Sequence, residues 1–438
     1  MILINSIKKK YPINIGSIGK YCFFLGVFFL PTALPIAGTF LIIALVCSLV
    51  KDKSIFFKDK VNFSIVIAIG LIILSTINNF LIQVPQELVD STNKYLWLNI
   101  FNWIPALLSF IGFQNYLKTR KDRLNFSKFF IAGTVPFIIS CLFQLFFNIS
   151  GPFEIFNGLI VWFQKPLEVT AGVSGLFSNR NYAGFWLAIS LPFSLYLFKK
   201  NQNSRIKSIS AFLISCTIIY LIVLTNSRNA FIGLTTTLMI FFGLKSILFF
   251  LVIILFITIQ NLLPLINSEI TSLFPVTLKR FRDIFFIDAP RIVIFRSALS
   301  FILERPLFGW GAGTFFLIYT NKLNIWRPPF KYFVPFHTHN LFLEMTFNFG
   351  IPASILITSI SIFIFTKAIS TSFSPKYKNA FFNLDKAWIS GTLALFIMFS
   401  NDVTFYDGKI SILTSILFSG LRCIPHSPEK METSHNIV

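Results

Sequence analysis

The chain has 438 residues, 55% of them hydrophobic, and only 13% are Asp, Glu, Lys or Arg, where a soluble domain has about 25% charged residues. Mean hydropathy is +0.73 and 57 residues are phenylalanine. These proportions exclude a disordered chain, a coiled coil and an ordinary soluble enzyme, and predict a polytopic all-α integral membrane protein. The net charge of +21 would point to nucleic acid on a soluble protein. Here it is expected to mark cytoplasmic loops, so the partners expected are membrane lipids and not nucleic acid. Cys22, Cys47, Cys141, Cys216 and Cys423 are scattered in or beside apolar stretches and predict neither a disulfide framework nor a zinc site.

Twelve apolar segments follow in chain order: 20–34, 36–50, 61–82, 96–117, 127–148, 180–198, 207–225, 228–243, 246–264, 339–366, 386–402 and 408–422. The first two form one run broken by Pro31 and Pro35. The expectation is a hairpin of two short helices with the prolines at the turn, the alternative being one kinked helix. The run extends past the short apolar core of a signal peptide, so an uncleaved segment is expected. With the N-terminus in the cytoplasm, every multi-lysine loop falls on one side: 8–20, 51–60, 118–128, 199–207 and 367–386. The short loops on the other side hold only Lys94, Arg228 and Lys409. This asymmetry predicts about twelve transmembrane helices in a single domain, with both termini cytoplasmic. Two outer segments are long, 149–179 and 265–338, and the polar tail 424–438 is expected to be disordered. Residues 265–338 carry nine basic residues against four acidic ones. That excess reads either as solvated charge near anionic headgroups or as a site for an anionic substrate.

Within 265–338, Pro290 and the following apolar spacing predict an amphipathic helix over 291–304. Ile292, Phe295, Leu299 and Ile302 would share one face, with Arg291 and Arg296 near the N-terminal end. Pro306-Leu-Phe-Gly309-Trp-Gly311-Ala-Gly313 follows no strand, so it is not a dinucleotide fingerprint; it reads as a turn with close backbone approach. His337-Thr-His339-Asn340 opens the tenth segment. Two histidines without a neighbouring carboxylate cluster are a poor metal set, and no metal is expected. A neutral imidazole there can instead act on a hydroxyl near neutral pH, or serve only as a cap. Asn226-Ser227-Arg228-Asn229 forms a tight outer turn, where an arginine beside the apolar core is costly unless paired or snorkelling. Ser178-Asn179-Arg180-Asn181 is a similar polar start to the sixth segment. Glu344 shares a helix face with Asn340 and could pair with an arginine or orient the histidine. Asp402 and Asp407 flank the last outer turn.

These stretches, in this order, resemble the O-antigen ligase/polymerase superfamily. The resemblance rests on Gly175-Leu-Phe-Ser-Asn-Arg-Asn181-Tyr-Ala183, on Ser227-Arg228-Asn229-Ala230, on Arg291 through Ala298-Leu299 to Pro306-Leu-Phe-Gly309-Trp-Gly311 and Phe315, and on His339-Asn340 with Gly350. It covers about 170–355. It implies a GT-C-like fold with a large periplasmic loop before the tenth helix, in the bacterial inner membrane. It also implies a metal-independent inverting glycosyltransferase. The donor would be an undecaprenyl-diphosphate-linked oligosaccharide, and the acceptor lipid A-core or a second lipid-linked glycan. Arg228 and Arg291 match the family's diphosphate-gripping arginines and His339 its histidine. Arg296, Arg180, His337, Asn340 and Glu344 are the expected substrate-binding residues around them. The chain departs from the pattern at Arg180, where an uncharged residue is usual, and at Phe295, Asn348 and Ala353. One rival reading is a transporter of inorganic carbon or lipid-linked glycan, which should hold its ionisable residues near the bilayer midplane; the other is a non-catalytic scaffold for envelope enzymes, which would leave the arginines and the histidine without a role.

Overall fold

The computed structural model describes residues 15–81, 89–167, 172–246, 251, 289–323, 335–373 and 382–426. These residues form a mostly helical bundle. Its helices are α1 (Ile15–Phe29), α2 (Leu34–Lys51), α3 (Lys60–Leu81), α4 (Val89–Phe113), α5 (Arg120–Phe147), α6 (Arg180–Lys200), α7 (Arg205–Leu224) and α8 (Arg228–Phe242). They continue with α9 (Ala289–Glu304), α10 (Phe315–Leu323), α11 (Leu341–Ser372), α12 (Phe382–Met398) and α13 (Gly408–Cys423). Every expected apolar segment coincides with a helix except the ninth, 246–264, which lies almost wholly outside the described residues. So do 265–288 and 324–334 of the second long loop, and 427–438 of the tail. Among the described residues, α2, α3, α5, α7 and α11 are long and apolar enough to cross a membrane. α1 and α2 are two helices, with Pro31 in the turn and Pro35 in the first turn of α2.

Helix α6 is the axis of the bundle. Its residues are buried without interruption from Ala183 to Ser194, the pattern of a helix covered on all sides, and α7, α8 and α12 pack against it. The α1–α2 hairpin packs on α5, and α3 lies against α11 and α4. Basic residues of the expected cytoplasmic loops gather at one end. Arg123 and Asp385 are both buried there, 3.9 Å apart, and the Arg123 guanidinium donates to the carbonyls of Leu117 and Lys118 at 3.1 Å. Lys20 pairs with Asp122 beside them. The other end carries the long loops. There the all-helical expectation needs a correction: Phe153–Ile155 (β1) and Ile160–Trp162 (β2) form an antiparallel hairpin inside 149–179.

A second correction concerns the tenth segment. Its helix begins at Leu341, after the histidines, because Asn340 caps it by accepting the N–H groups of Phe342 and Leu343. It is also broken at Gly350, whose φ of 83° and ψ of 171° lie in a region open essentially to glycine alone. A break inside an apolar layer frees backbone groups that must find partners. The glycine run supplies them: Trp310 N–H donates to Phe347 O at 2.7 Å and Gly311 N–H to Asn348 O at 2.9 Å, while Ile351 N–H donates to Pro306 O at 2.7 Å. Side chains of α3 complete the junction, since Ser75 and Asn79 both donate to Phe308 O. Arg305 donates to Asn79 at 3.3 Å and lies over the Trp310 ring at 4.1 Å. A Cβ at Gly350 would collide with the Leu307 carbonyl, and one at Gly309 with that of Phe347. The close approach expected of the glycine run is therefore its contact with the broken helix.

Gly350→Ala should lower the thermal unfolding midpoint in detergent or lipid, with a loss on the order of 2–3 kcal/mol. Gly70→Ala on α3, where a Cβ meets open space, should leave it unchanged. Equal midpoints for both variants would refute the account of the break.

Candidate active site

Three arginines stand in the first turns of three helices. Asn179 caps α6 by accepting the Asn181 N–H at 2.8 Å, which leaves Arg180 as the first helical residue. Ser227 caps α8 through the Ala230 N–H, and Arg228 follows it. Asn226, just before, takes the left-handed conformation with φ 52° and closes the tight turn from α7. Arg291 lies in the first turn of α9. Gly184 of α6 sits against Ala230 and Ser227 of α8, so the two helix starts lie side by side. Arg180, Arg228 and Arg291 line one polar cavity of about 340 Å³ together with Asn181, Asn226, Asn229 and Asp402.

The electrostatics of this cavity favour an anion. The start of a helix already carries about half a positive charge, and cations there are ordinarily unfavourable. Three guanidiniums in such positions, with the Asp402 carboxylate among them, give the cavity a lining suited to an anion.

Asp402 joins the cavity to the histidines. It lies in the turn after α12. One carboxylate oxygen accepts the Val403 N–H at 2.9 Å and contacts His339 Nδ1 at 3.3 Å. The other accepts the Asn181 amide at 3.1 Å. Burial pushes the Asp402 carboxyl up, but the contact with His339 and the neighbouring His337 and Arg291 outweigh it, so the group titrates below its ordinary range. In the tautomer whose Nδ1–H donates to Asp402, His339 presents its Nε2 lone pair as an acceptor. His339 itself is left-handed, with φ 54°, a conformation that costs energy for a ring-bearing residue and collects at functional sites. His337 packs its ring 4.4 Å from that of His339, and its Nδ1 accepts the His339 N–H at 3.3 Å. Burial, and then the neighbouring His339, hold the His337 pKa down to about 4, so this ring is neutral near pH 7.

The expected absence of a carboxylate beside the two histidines is corrected here. His337, His339 and Asp402 each place a possible ligand atom within 4.8 Å of the others. His337 Nδ1 accepts the His339 N–H and His339 Nδ1 contacts Asp402, and the Arg291 charge acts on the same group.

The remaining expected residues fall elsewhere. Arg296 is exposed and does not line the cavity. Asn340 spends both polar ends on structure, capping α11 and donating to Ser400 O at 3.0 Å. Glu344 is fully buried and accepts from Tyr406 OH at 2.7 Å, Thr338 N–H at 2.8 Å and the Asn348 amide at 3.4 Å. It braces Thr338, the residue between the two histidines. The buried face of α9 is also shifted from the expected one. Ile294, Ala298, Phe301 and Ile302 pack on Phe315, Ile318, Tyr319 and Phe347, whereas Leu299 is exposed. Spacing alone left two apolar faces available, and contact with α10 and α11 selected one.

The described residues are mostly helical, and several of their helices are fit to cross a bilayer, consistent with an all-α membrane protein that carries one small hairpin. The O-antigen ligase family model matches residues 211–358, and the match supports assignment of the chain to the O-antigen ligase/polymerase superfamily. The family points to a glycosyl-transferring enzyme, to lipid-linked glycans in general as substrates, and to a multi-pass protein of the bacterial inner membrane. No curated protein matches the chain. Arg228, Arg291 and His339 lie inside the matched stretch; Arg180 and Asp402 lie outside it. Nothing in the match favours the transport alternative.

Glu344→Ala removes the acceptor shared by Thr338, Tyr406 and Asn348, and leaving those donors buried should cost on the order of 1–3 kcal/mol in unfolding experiments. Glu344→Gln keeps an acceptor oxygen and should lose less. The opposite order would show that the carboxylate is not the brace.

Proposed function

We propose that the protein transfers a glycan from undecaprenyl diphosphate, at the periplasmic face, to lipid A-core or to a second carrier-linked glycan, without a metal and with inversion at the anomeric carbon. The observation that supports this reading best is the shared cavity of Arg180, Arg228 and Arg291, with Asp402 bridging it to His339. In this arrangement the diphosphate lies among the guanidiniums and the starts of α6, α8 and α9. The acceptor hydroxyl oxygen attacks the anomeric carbon and the carbon–oxygen bond to the diphosphate breaks. The electron pair passes to the diphosphate oxygen, where the arginines offset the developing charge. The hydroxyl proton passes to His339 Nε2, and anionic Asp402 stabilises the imidazolium that forms. His337 stays neutral and supports the His339 backbone. Twelve membrane crossings with both termini cytoplasmic fit this reading, because the Arg123–Asp385 and Lys20–Asp122 pairs then occupy the cytoplasmic end.

The direct test supplies labelled undecaprenyl-diphosphate oligosaccharide to the protein in lipid, with and without lipid A-core. Label on lipid A-core identifies a ligase, and label growing in carrier-linked steps a polymerase. Neither product, together with no binding of the carrier, would overturn the transferase reading. Arg228→Ala and Arg291→Ala should each reduce turnover on the order of a hundredfold, and His339→Ala should fall in the range of roughly 100- to 10,000-fold. Asp402→Asn should slow the reaction and shift the pH at which its rate rises, a shift that a purely structural role would not produce.

A chelator should leave the rate unchanged. Loss of activity in chelator, restored by a divalent cation, would overturn the metal-independent mechanism and assign His337, His339 and Asp402 to that ion.

A further inference from the structure

The hairpin β1–β2 is not part of the cavity, yet it is fastened with care. The Trp162 indole N–H donates to Thr32 O in the α1–α2 turn. Gly151 N–H donates to Gln164 O at 2.9 Å, and the Gln164 amide to Ile149 O at 2.8 Å. Ser140 of α5 donates to Gln164 and Gln144 of α5 to Lys165 O. The base of the hairpin is thus fixed to α5 and to the first helical pair.

What this fixed ribbon presents is apolar. Phe156 is 70% exposed and Leu159 60%, with Phe153, Ile155 and Phe163 exposed around them. Between 149 and 167 only Glu154 and Lys165 are charged. A two-stranded ribbon this small is marginal in water, and an exposed apolar patch of this kind marks a binding surface. The tip adds a second observation. Phe156 and Asn157 both have φ 53°, and for a bulky aromatic that conformation costs energy. The backbone is held in it while the ring stays uncovered. The hairpin base is bonded to the last turns of α5, where Phe143, Phe146 and Phe147 are also exposed on a helix fit to cross the membrane. The charged start of α5, Arg120 to Arg123, is 28 residues long in helix away from this end.

We propose that the β1–β2 hairpin is a membrane-interface anchor, which lays Phe153, Phe156, Leu159 and Phe163 into the headgroup–acyl boundary of the leaflet on the arginine-cavity side. Attachment to the end of a helix fit to span the membrane, where further aromatics are exposed, names the occupant, since aromatic residues at a span's end are what a bilayer interface selects. The proposal is independent of the transferase reading.

The test uses the full chain in nanodiscs of phosphatidylethanolamine and phosphatidylglycerol. Phe156→Cys and Leu159→Cys, each carrying bimane in a background without the native cysteines, should be quenched at least about twofold by lipids bearing a nitroxide high on the acyl chain, and weakly by iodide. Full quenching by iodide with none by the lipid nitroxide would overturn the proposal. So would protection that appears only when two copies cross-link. Hydroxyl-radical footprinting of the unaltered chain gives the same decision without substitution: oxidation of Phe156 and Leu159 should be suppressed in nanodiscs relative to amphipol, and equal oxidation in both would count against the anchor.

Discussion

Arg180, Arg228 and Arg291 each occupy a helix start, where the peptide dipoles have already placed positive charge. Bringing three such starts to one cavity is unfavourable unless something negative is held there. Asp402 supplies one negative charge, and its carboxylate is bound on both oxygens by Asn181, Val403 and His339. This constraint orders the neighbouring chemistry. Asp402 stays ionised despite burial, through His339 and His337 first and then Arg291, and burial, with His339 and Arg291 adding to it, keeps the His337 imidazole neutral. The local sequence follows from it as well, since Asn179 and Ser227 cap the starts of α6 and α8 and so fix where their arginines point of origin lies.

The third arginine is tied to the histidine by a different device. Arg291 belongs to α9, and His339 precedes α11. The two helices meet through Phe347 and the apolar cluster of α9 and α10. They are locked by the hydrogen bonds that the glycine run makes into the break at Gly350. In an apolar layer those carbonyls have no solvent to turn to, so the break and the loop that fills it stabilise each other. The same junction reaches α3 through Ser75, Asn79 and Arg305. A backbone irregularity in the membrane layer thereby sets the distance between two parts of the site that are far apart in sequence.

The helical architecture was legible because hydropathy and lysine placement act over whole segments. The α1–α2 hairpin followed from Pro31 and Pro35 together with the length of the run and the side on which the later lysine loops fall. The arginines were legible too, as charges pinned beside apolar runs and preceded by capping residues. What sequence could not resolve were contacts across the fold. Asp402 stood out only as a residue in the last outer turn; its meeting with His339, 63 residues away, is a product of how α11 and α12 pack. Glu344 had the right spacing to face the histidines, but Tyr406, from the distant turn before α13, took its carboxylate. Arg296 had the right neighbourhood in sequence and the wrong side of α9. The hairpin was missed because its strands are three residues each and its apolar content reads like that of the helices around it.

The parts of the outer end are linked by one further chain of contacts. Trp162 of the hairpin holds the Thr32 carbonyl. The adjacent Pro31 carbonyl accepts the Lys409 ammonium at 3.0 Å, and the same ammonium donates to Leu176 O at 3.3 Å and lies 4.3 Å from the centre of the Phe177 ring. Leu176 and Phe177 lead directly to Asn179 and Arg180. Lys409 itself follows Asp407, the cap of α13, in the turn that also carries Asp402. A side chain that touches the hairpin's support, the approach to α6 and the turn bearing Asp402 makes these three segments move as one. The height of the arginine cavity relative to the hairpin is therefore fixed by the fold. Under the proposed function and the proposed anchor, an anion carried on a lipid would have its charge at the level of the headgroups, where a cavity at the helix ends beside an apolar hairpin would meet it. A transporter would need its charges deeper in the layer; here the arginines stop at the first turn of each helix.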